Sequence, residues 1–229
     1  MNGIPDTRIY EDVAREMGIG DPSLVEKDFF AVRSLSVCAD SESDLFTLVF
    51  AGGTSLSKIF RPTGRMSEDV DVKIFLTEKA EKLSGNQLRK SLGDLKDLIS
   101  DKLKTIGLPV TKDCVVSHDG NRSIKFRIPY VQGFKSSSAL RSEIKLDLFL
   151  ATPFSPPIVK PVRSFVSEIA GEPPEISAIR CVDVETTAAE KIVLLTRRVA
   201  ASLHGIKTSD EGIPHTGISD LLKIADVGA

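Results

Sequence analysis

The segment 67–76 alternates acidic or basic residues with apolar ones, and the apolar positions are Val70, Val72, Ile74 and Leu76. Successive side chains of a β-strand point to opposite faces of a sheet, so this pattern predicts a half-buried strand. Asp69 and Asp71 then share the polar face, away from the core. Two carboxylates about 6 to 7 Å apart on one face repel each other unless a cation lies between them. The alternation therefore predicts a strand that presents an acid pair to a metal ion.

A second segment, 143–149, repeats this alternation and adds a third carboxylate. Its outward residues are Glu143, Lys145 and Asp147, which apolar residues facing the core separate. Three carboxylates on adjacent strands can hold two Mg²⁺ ions about 3.5 to 4 Å apart, and ligation by oxygen alone suits Mg²⁺. Such a site activates an attacking hydroxyl and stabilises the leaving oxygen in nucleotidyl transfer. We therefore predict that Asp69, Asp71 and Asp147 hold magnesium.

A glycine turn precedes the acid pair. The apolar run 45–51 ends at Gly52-Gly53, and residues 54–60 follow with a helical pattern, which predicts a strand, a turn and a helix. A glycine backbone lets an anion approach closely, and the first N–H groups of a helix are free to bind it. The predicted triphosphate-binding residues are Gly52, Gly53, Thr54, Lys58, Ser67, Lys145 and Lys191, with Ser55 as a further hydroxyl donor. Each feature alone is common, and only their combination indicates a phosphate cradle opposite a metal cluster.

The remaining pattern predicts an α/β fold with a mixed sheet flanked by helices. Helices are expected in 22–31 and in 77–106, and further strands in 114–117, 124–130 and 142–150. Proline-rich loops at 151–157 and 171–174 separate this region from a helical tail that begins near Thr186. We predict a catalytic domain over 1–155 and a mainly helical C-terminal part over 156–229, packed on the catalytic face.

Charge and cysteine content limit the location and the partners of the chain. The first thirty residues are too charged for a signal peptide, no stretch is long and apolar enough to span a membrane, and the three cysteines are an odd number and far apart. These features predict a cytoplasmic protein without a membrane partner, a disulfide framework or a zinc site. The net charge of −2 does not by itself favour nucleic acid. Lys125 and Arg127 nevertheless face outward on a predicted strand in a basic region, where RNA phosphates could bind.

The sequence of these motifs resembles that of the AbiEii/AbiGii toxin family, which includes the MenT toxins. The resemblance rests on Phe50-Ala-Gly-Gly-Thr-Ser-Leu-Ser-Lys58 and on Arg65-Met-Ser-Glu-Asp-Val-Asp-Val72. Three shorter elements also match, namely Glu26-Lys-Asp-Phe29, Lys145-Leu-Asp147 and Ala189-Glu-Lys191. The final motif of the family has an Arg-Asp pair with a second Asp three residues on. This chain offers only Asp220 there, within Gly217-Ile-Ser-Asp-Leu-Leu-Lys223.

The resemblance implies a polymerase β-like nucleotidyltransferase with a helical C-terminal part. It further implies a nucleoside triphosphate substrate, Mg²⁺, a cognate antitoxin encoded nearby, and service as the toxin of a toxin-antitoxin or phage-defence pair. In relatives the acceptor can be the 3′ end of tRNA, and blocking this end stops translation. On this basis the catalytic residues are Asp69, Asp71, Asp147 and Lys191, and Asp220 joins the nucleotide-binding residues.

Three other interpretations of the same residues remain open at this point. The acceptor could be a protein side chain, which the acidic net charge would suit. The site could bind a triphosphate without transferring it, as a sensing or partner-binding module. A purely structural role for the acids would leave Asp69→Asn and Asp71→Asn without effect on activity or toxicity.

Overall fold

The computed structural model describes residues 3–60, 69–134 and 142–203. Seven strands form one mixed sheet in the order β3-β4-β5-β2-β1-β7-β6. Their bounds are β1 Phe46–Ala51, β2 Asp69–Leu76, β3 Val115–His118, β4 Ser123–Pro129, β5 Glu143–Leu150, β6 Ile158–Val162 and β7 Ile176–Cys181. Strand β2 runs parallel to β5 and β1 runs parallel to β7, whereas the other neighbours are antiparallel. The predicted mixed α/β sheet is thereby confirmed.

Helices flank this sheet. Their bounds are α1 Thr7–Glu16, α2 Pro22–Ala39, α3 Gly52–Ser55, α4 Glu78–Glu81, α5 Gly85–Thr105, α6 Phe165–Ile169 and α7 Val184–Leu203. Helix α3 continues into a π-helical turn, Leu56–Phe60. The helices predicted in 22–31 and 77–106 are confirmed, and α1 is an element that the sequence pattern did not predict.

Local sequence signals explain where the two long helices on the core side begin. The Asp21 carboxylate accepts the backbone N–H of Ser23 at 3.0 Å, and Pro22 fits the first turn of α2 because that turn needs no donor from it. Ser84 and Gln87 form a reciprocal capping box at the start of α5. The buried face of α5 repeats near the helical period with Leu88, Leu92, Leu95, Ile99 and Leu103.

The two faces of the sheet differ in chemistry. Ile144, Leu146 and Leu148 of β5 are fully buried and belong to the main hydrophobic core, which includes residues of α1, α2 and α5. The alternate residues of β5, Glu143, Lys145 and Asp147, are only half-buried. Strand β2 alternates in the same way at its start. One face of the sheet therefore lies in the core with residues of α1, α2 and α5, and the other presents charged groups along β2 and β5.

Residues after 155 extend the same sheet before the chain becomes helical. Strands β6 and β7 pair with each other, β7 pairs with β1, and α7 begins at Val184. The boundary predicted at residue 155 stays a prediction. In the part of the chain that the structure describes, no helix is long and apolar enough to cross a bilayer.

Candidate active site

Three acids meet on the polar face where β2 and β5 run side by side. The parallel register places Asp71 opposite Asp147, and Asp69 opposite Lys145. Residues that are opposite in adjacent strands project to the same face, so the three carboxylates share one surface. The alternation had predicted which face they occupy, and the pairing of β2 with β5 brings them together.

Asp71 is the most perturbed acid of this group. Burial raises the pKa of its carboxyl to about 6, and the negative charges of Asp147 and Asp69 act in the same direction. The ammonium groups of Lys191 and Lys73 oppose this rise in pKa. A buried carboxylate facing two others is unfavourable without added positive charge, and a perturbed acid of this kind is typical of functional sites.

Basic side chains contact the two outer acids. Lys145 Nζ lies 3.3 Å from Oδ1 of Asp69. Arg127 Nη1 on β4 donates to Oδ1 of Asp147 at 2.5 Å. Lys125, the neighbouring outward residue of β4, is opposite Asp147 in the antiparallel register and is exposed. The acids therefore lie beside a basic margin formed by β4 and β5.

The glycine turn fits directly against the acid pair. Gly52 has a φ of +77°, and a Cβ atom built on it would lie 3.0 Å from Cγ of Asp71 and closer still to Oδ2. Only glycine avoids both the backbone strain and the collision. The hydroxyl of Thr54 donates to the backbone carbonyl of Asp69. The turn that follows β1 is thus fixed on the start of β2, and its role as a phosphate cradle stays a prediction.

Lys58 pairs with an acid outside the group of Asp69, Asp71 and Asp147. Its ammonium forms an ion pair with Asp28 of α2, and the Lys58 side chain is buried. Its predicted role as a triphosphate ligand stays a prediction. The Glu26-Lys-Asp-Phe29 element carries a family resemblance, but no pattern in it predicts that Asp28 pairs with a residue 30 positions away.

Helix α7 brings Lys191 toward the site. Lys191 is half-buried and acts electrostatically on Asp71. The adjacent Glu190 forms an ion pair with Lys73 of β2, whose side chain is only 7% exposed. This contact joins residues 117 positions apart, so no local pattern could have predicted it. Two further candidates, Ser67 and Asp220, lie outside the described residues.

The donor set suits a hard divalent cation, although the ligand geometry is not assembled. Within residues 3–60, 69–134 and 142–203, no group of three or more His, Cys, Asp or Glu is arranged to hold a metal ion. Asp69 and Asp147 are instead directed at Lys145 and Arg127. Carboxylate oxygens are nevertheless the ligands that Mg²⁺ prefers, and both burial and the charges of Asp147 and Asp69 raise the pKa of Asp71, an effect that a cation would oppose. The three residues therefore fit the chemistry of a magnesium site.

Comparison with known proteins places the chain in a class of enzymes, the nucleotidyltransferases, through a match to a family model. Residues 38–205 match the family described as "Nucleotidyl transferase AbiEii toxin, Type IV TA system". The chain belongs to this family.

A solved structure shows the same fold. MenT4, a nucleotidyltransferase toxin from Mycobacterium tuberculosis H37Rv, superposes with a TM-score of 0.51 at 18% sequence identity. The match covers 82% of this chain and 59% of the MenT4 chain. No match to this chain was found among curated protein sequences.

Proposed function

We propose that this protein is a toxin that transfers a nucleoside monophosphate from a nucleoside triphosphate to the 3′ end of tRNA and thereby blocks translation. One observation carries the proposal, namely the row of Asp69, Asp71 and Asp147 against which Gly52 is packed. Membership of the AbiEii family supports the reaction class and a cognate antitoxin. A cytoplasmic location follows from this target.

Asp69 and Asp71, with Asp147, would hold Mg²⁺. The metal would neutralise charge on the phosphates and on the oxygens that attack and leave. The ammonium of Lys145 already contacts Asp69, so it could also donate a hydrogen bond to a triphosphate bound beside this acid. Lys191 would approach from α7, whereas Gly52, Gly53 and Thr54 would lie beside the phosphates. Ser67 and Asp220 are retained from the sequence as further nucleotide-binding candidates.

The reaction is a displacement at the α-phosphorus. The hydroxyl oxygen of the acceptor forms a bond to this phosphorus, the bond to the bridging oxygen of the β-phosphate breaks, and pyrophosphate leaves. The proton of the hydroxyl passes to water, and the electron pair of the broken bond stays on the pyrophosphate. The contribution of the protein is to position the two substrates and to stabilise negative charge, which is the main requirement of such transfers.

The basic margin of β4 suits the acceptor. Lys125 is exposed and adjoins Asp147 in register, and Arg127 holds the carboxylate of Asp147. These cations can bind the phosphates of a single-stranded RNA end, whose terminal hydroxyl is free to react. The aromatic content of 6% is low, which argues against an extensive base-stacking platform.

The test uses radiolabelled nucleoside triphosphates with Mg²⁺ and either total tRNA or the protein of a cell lysate. Wild type should label tRNA, and Asp69→Asn and Asp71→Asn should each lose about a thousandfold in rate, since a metal site contributes several kcal/mol. Asp97→Asn is the matched control because Asp97 is exposed on α5. The control should keep full activity and should still arrest growth when expressed.

Each alternative function predicts a different result. Label confined to lysate protein would replace tRNA with a protein acceptor. Tight nucleotide binding without release of pyrophosphate would indicate a non-catalytic module. Equal activity and equal growth arrest in wild type and Asp71→Asn would remove the catalytic role of the acids.

A further inference from the structure

A buried ion pair joins α2 to the segment that follows the glycine turn. The ammonium of Lys58 contacts the carboxylate of Asp28, and the two side chains are only 7% and 2% exposed. Lys58 Nζ also donates to the backbone carbonyl of Arg163 at 3.1 Å and lies 3.9 Å from the centroid of the Phe165 ring. These contacts direct the Lys58 ammonium to α2 and to residues 163–165.

Asp28 connects a third element through its other oxygen. Its Oδ2 accepts the backbone N–H of Phe165, the first residue of α6, at 2.8 Å. One buried carboxylate therefore ties α2 to the π-helical turn 56–60 and to the start of α6. Sequence separations of 30 and 137 residues place these three segments far apart along the chain.

The ion pair of Asp28 and Lys58 contributes little net stability to the fold. Burial raises the pKa of the Asp28 carboxyl, although the Lys58 ammonium and the Phe165 N–H act in the opposite direction. Desolvation of two charges offsets most of their attraction, so apolar residues of similar size would stabilise the fold as well. What such a pair supplies is a fixed geometry, because each charge must lie where the other can reach it.

The geometry that Lys58 fixes is that of the phosphate cradle. Lys58 belongs to a π-helical turn, an uncommon conformation that is frequent at functional sites. The same nine-residue helical segment, 52–60, holds Gly52 against Asp71 and Thr54 on the carbonyl of Asp69. A shift of Lys58 would therefore displace Gly52 and Thr54 relative to the acids.

We propose that Asp28 and Lys58 are positioning residues that hold the segment 52–60 against Asp69 and Asp71, and that Lys58 is not a ligand of the triphosphate. This inference rests on the proposed nucleotidyl transfer for its kinetic consequences. Its structural consequence, order in the segment 52–60, does not depend on the reaction.

The experiment compares Asp28→Asn, Lys58→Met and the double variant with wild type. The matched control is the exposed pair of Asp44 and Lys79, substituted in the same way, whose side chains are 83% and 68% exposed. Transfer to tRNA is measured for kcat and for the KM of the nucleotide. Hydrogen exchange of the amides in 52–60 is measured in parallel.

A positioning pair predicts that each single substitution lowers kcat by about tenfold to a hundredfold, with little change in nucleotide KM. The double variant should be no slower than the slower single variant, because both changes remove the same contact. Exchange in 52–60 should rise by at least about tenfold in each variant, and the control variants should match wild type.

Two results would overturn the proposal. One is a nucleotide KM raised tenfold or more in Lys58→Met with normal kinetics in Asp28→Asn, which would make Lys58 a triphosphate ligand. The other is hydrogen exchange in 52–60 that stays at the wild-type rate in the Asp28 and Lys58 variants. If a single variant fails to fold, the double variant is used instead, because it leaves no buried charge unpaired. The rate of hydrogen exchange in its segment 52–60 then decides whether the pair has a positioning role. If wild type transfers no nucleotide, the proposed function fails, and exchange alone still judges the positioning role.

Discussion

Gly52 and Asp71 are fitted to each other, with room for a hydrogen atom but not for a methyl group between them. A Cβ on Gly52 would lie 3.0 Å from the carboxyl carbon of Asp71, and the φ of Gly52 is +77°. Ala51, the preceding residue, pairs with Asp71 across β1 and β2. The turn and the acid are therefore packed directly against each other, so a change in one displaces the other.

Gly52→Ala should lower kcat by about a hundredfold, because the added methyl group must displace the turn or the Asp71 carboxylate. Gly18→Ala is the matched control, since Gly18 has a φ of +66° but no heavy atom within 4 Å of an added Cβ. Both variants should lose about 1 to 2 kcal/mol of unfolding free energy from backbone strain. Only Gly52→Ala should lose activity, and equal activity in the two variants would contradict a close fit at Asp71.

Glu190→Gln should destabilise the protein by about 1 to 2 kcal/mol in urea unfolding, because it leaves the buried ammonium of Lys73 without its anionic partner. The figure lies below that of a fully buried pair because the Glu190 side chain is 47% exposed. A double-mutant cycle with Lys73→Met should give a coupling of about 1 kcal/mol.

The control for this cycle is the exposed pair of Asp101 and Lys104, 2.8 Å apart on α5. Its coupling should be about 0.3 kcal/mol. The same coupling in both cycles would show that α7 is not anchored through Lys73.

Glu175→Gln should reduce stability near neutral pH but not in acid. Burial alone would raise the pKa of Glu175, but hydrogen bonds from Ser164 and Ser167 outweigh it and hold the pKa below its ordinary value of 4.5. A carboxyl with a lowered folded-state pKa stabilises the fold above pH 4.5, and this stability is lost as the pH falls through the folded pKa.

Urea unfolding at several pH values tests this prediction. At pH 7 the variant should be about 1 to 2 kcal/mol less stable, and the difference should shrink below pH 4.5. Glu81→Gln, at an exposed position of α4, should change stability by less than about 0.5 kcal/mol at every pH. A difference for Glu175→Gln that persists unchanged in acid would show that charge is not the cause.

Lys125→Ala should weaken the binding of the RNA acceptor and leave the binding of the nucleotide unchanged. If Lys125 neutralises one RNA phosphate, the KM for tRNA rises, and the slope of log affinity against log salt falls by about 1. Lys90→Ala is the control, because Lys90 is exposed on α5, which packs against the other face of the sheet. An unchanged salt slope in Lys125→Ala would place the acceptor elsewhere.

Much of this fold could be predicted from local patterns. Alternation predicted β2, β4 and β5 with the correct inward faces, and helical periodicity predicted α5. Strands β6 and β7 were missed because each follows a proline-rich loop and because β6 itself contains Pro161. Proline marks a segment as loop in sequence, yet an edge strand tolerates it, because the outer side of such a strand needs no donor.

The start of α7 likewise depends on contacts that local sequence does not reveal. The sequence pattern placed the start of this helical tail near Thr186, whereas the carboxylate of Asp183 accepts the N–H of Thr186 and the helix begins at Val184. Ser155, from the preceding loop, donates to Asp183 and helps to fix the cap. A capping signal thus depended on a residue 28 positions earlier.

By itself the sequence determined which face of each strand is charged, where a glycine turn ends a strand and which family the motifs indicate. These properties depend on neighbours within a few residues. The sequence predicted that Asp147 joins the acid pair, but only the tertiary structure decided the register that sets it opposite Asp71. The contact of Glu190 with Lys73 and the pairing of Asp28 with Lys58 were likewise decided by tertiary structure. The physical reason is that strand order and helix docking are set by burial of the whole core, and charges distant in sequence become partners only when that core has formed.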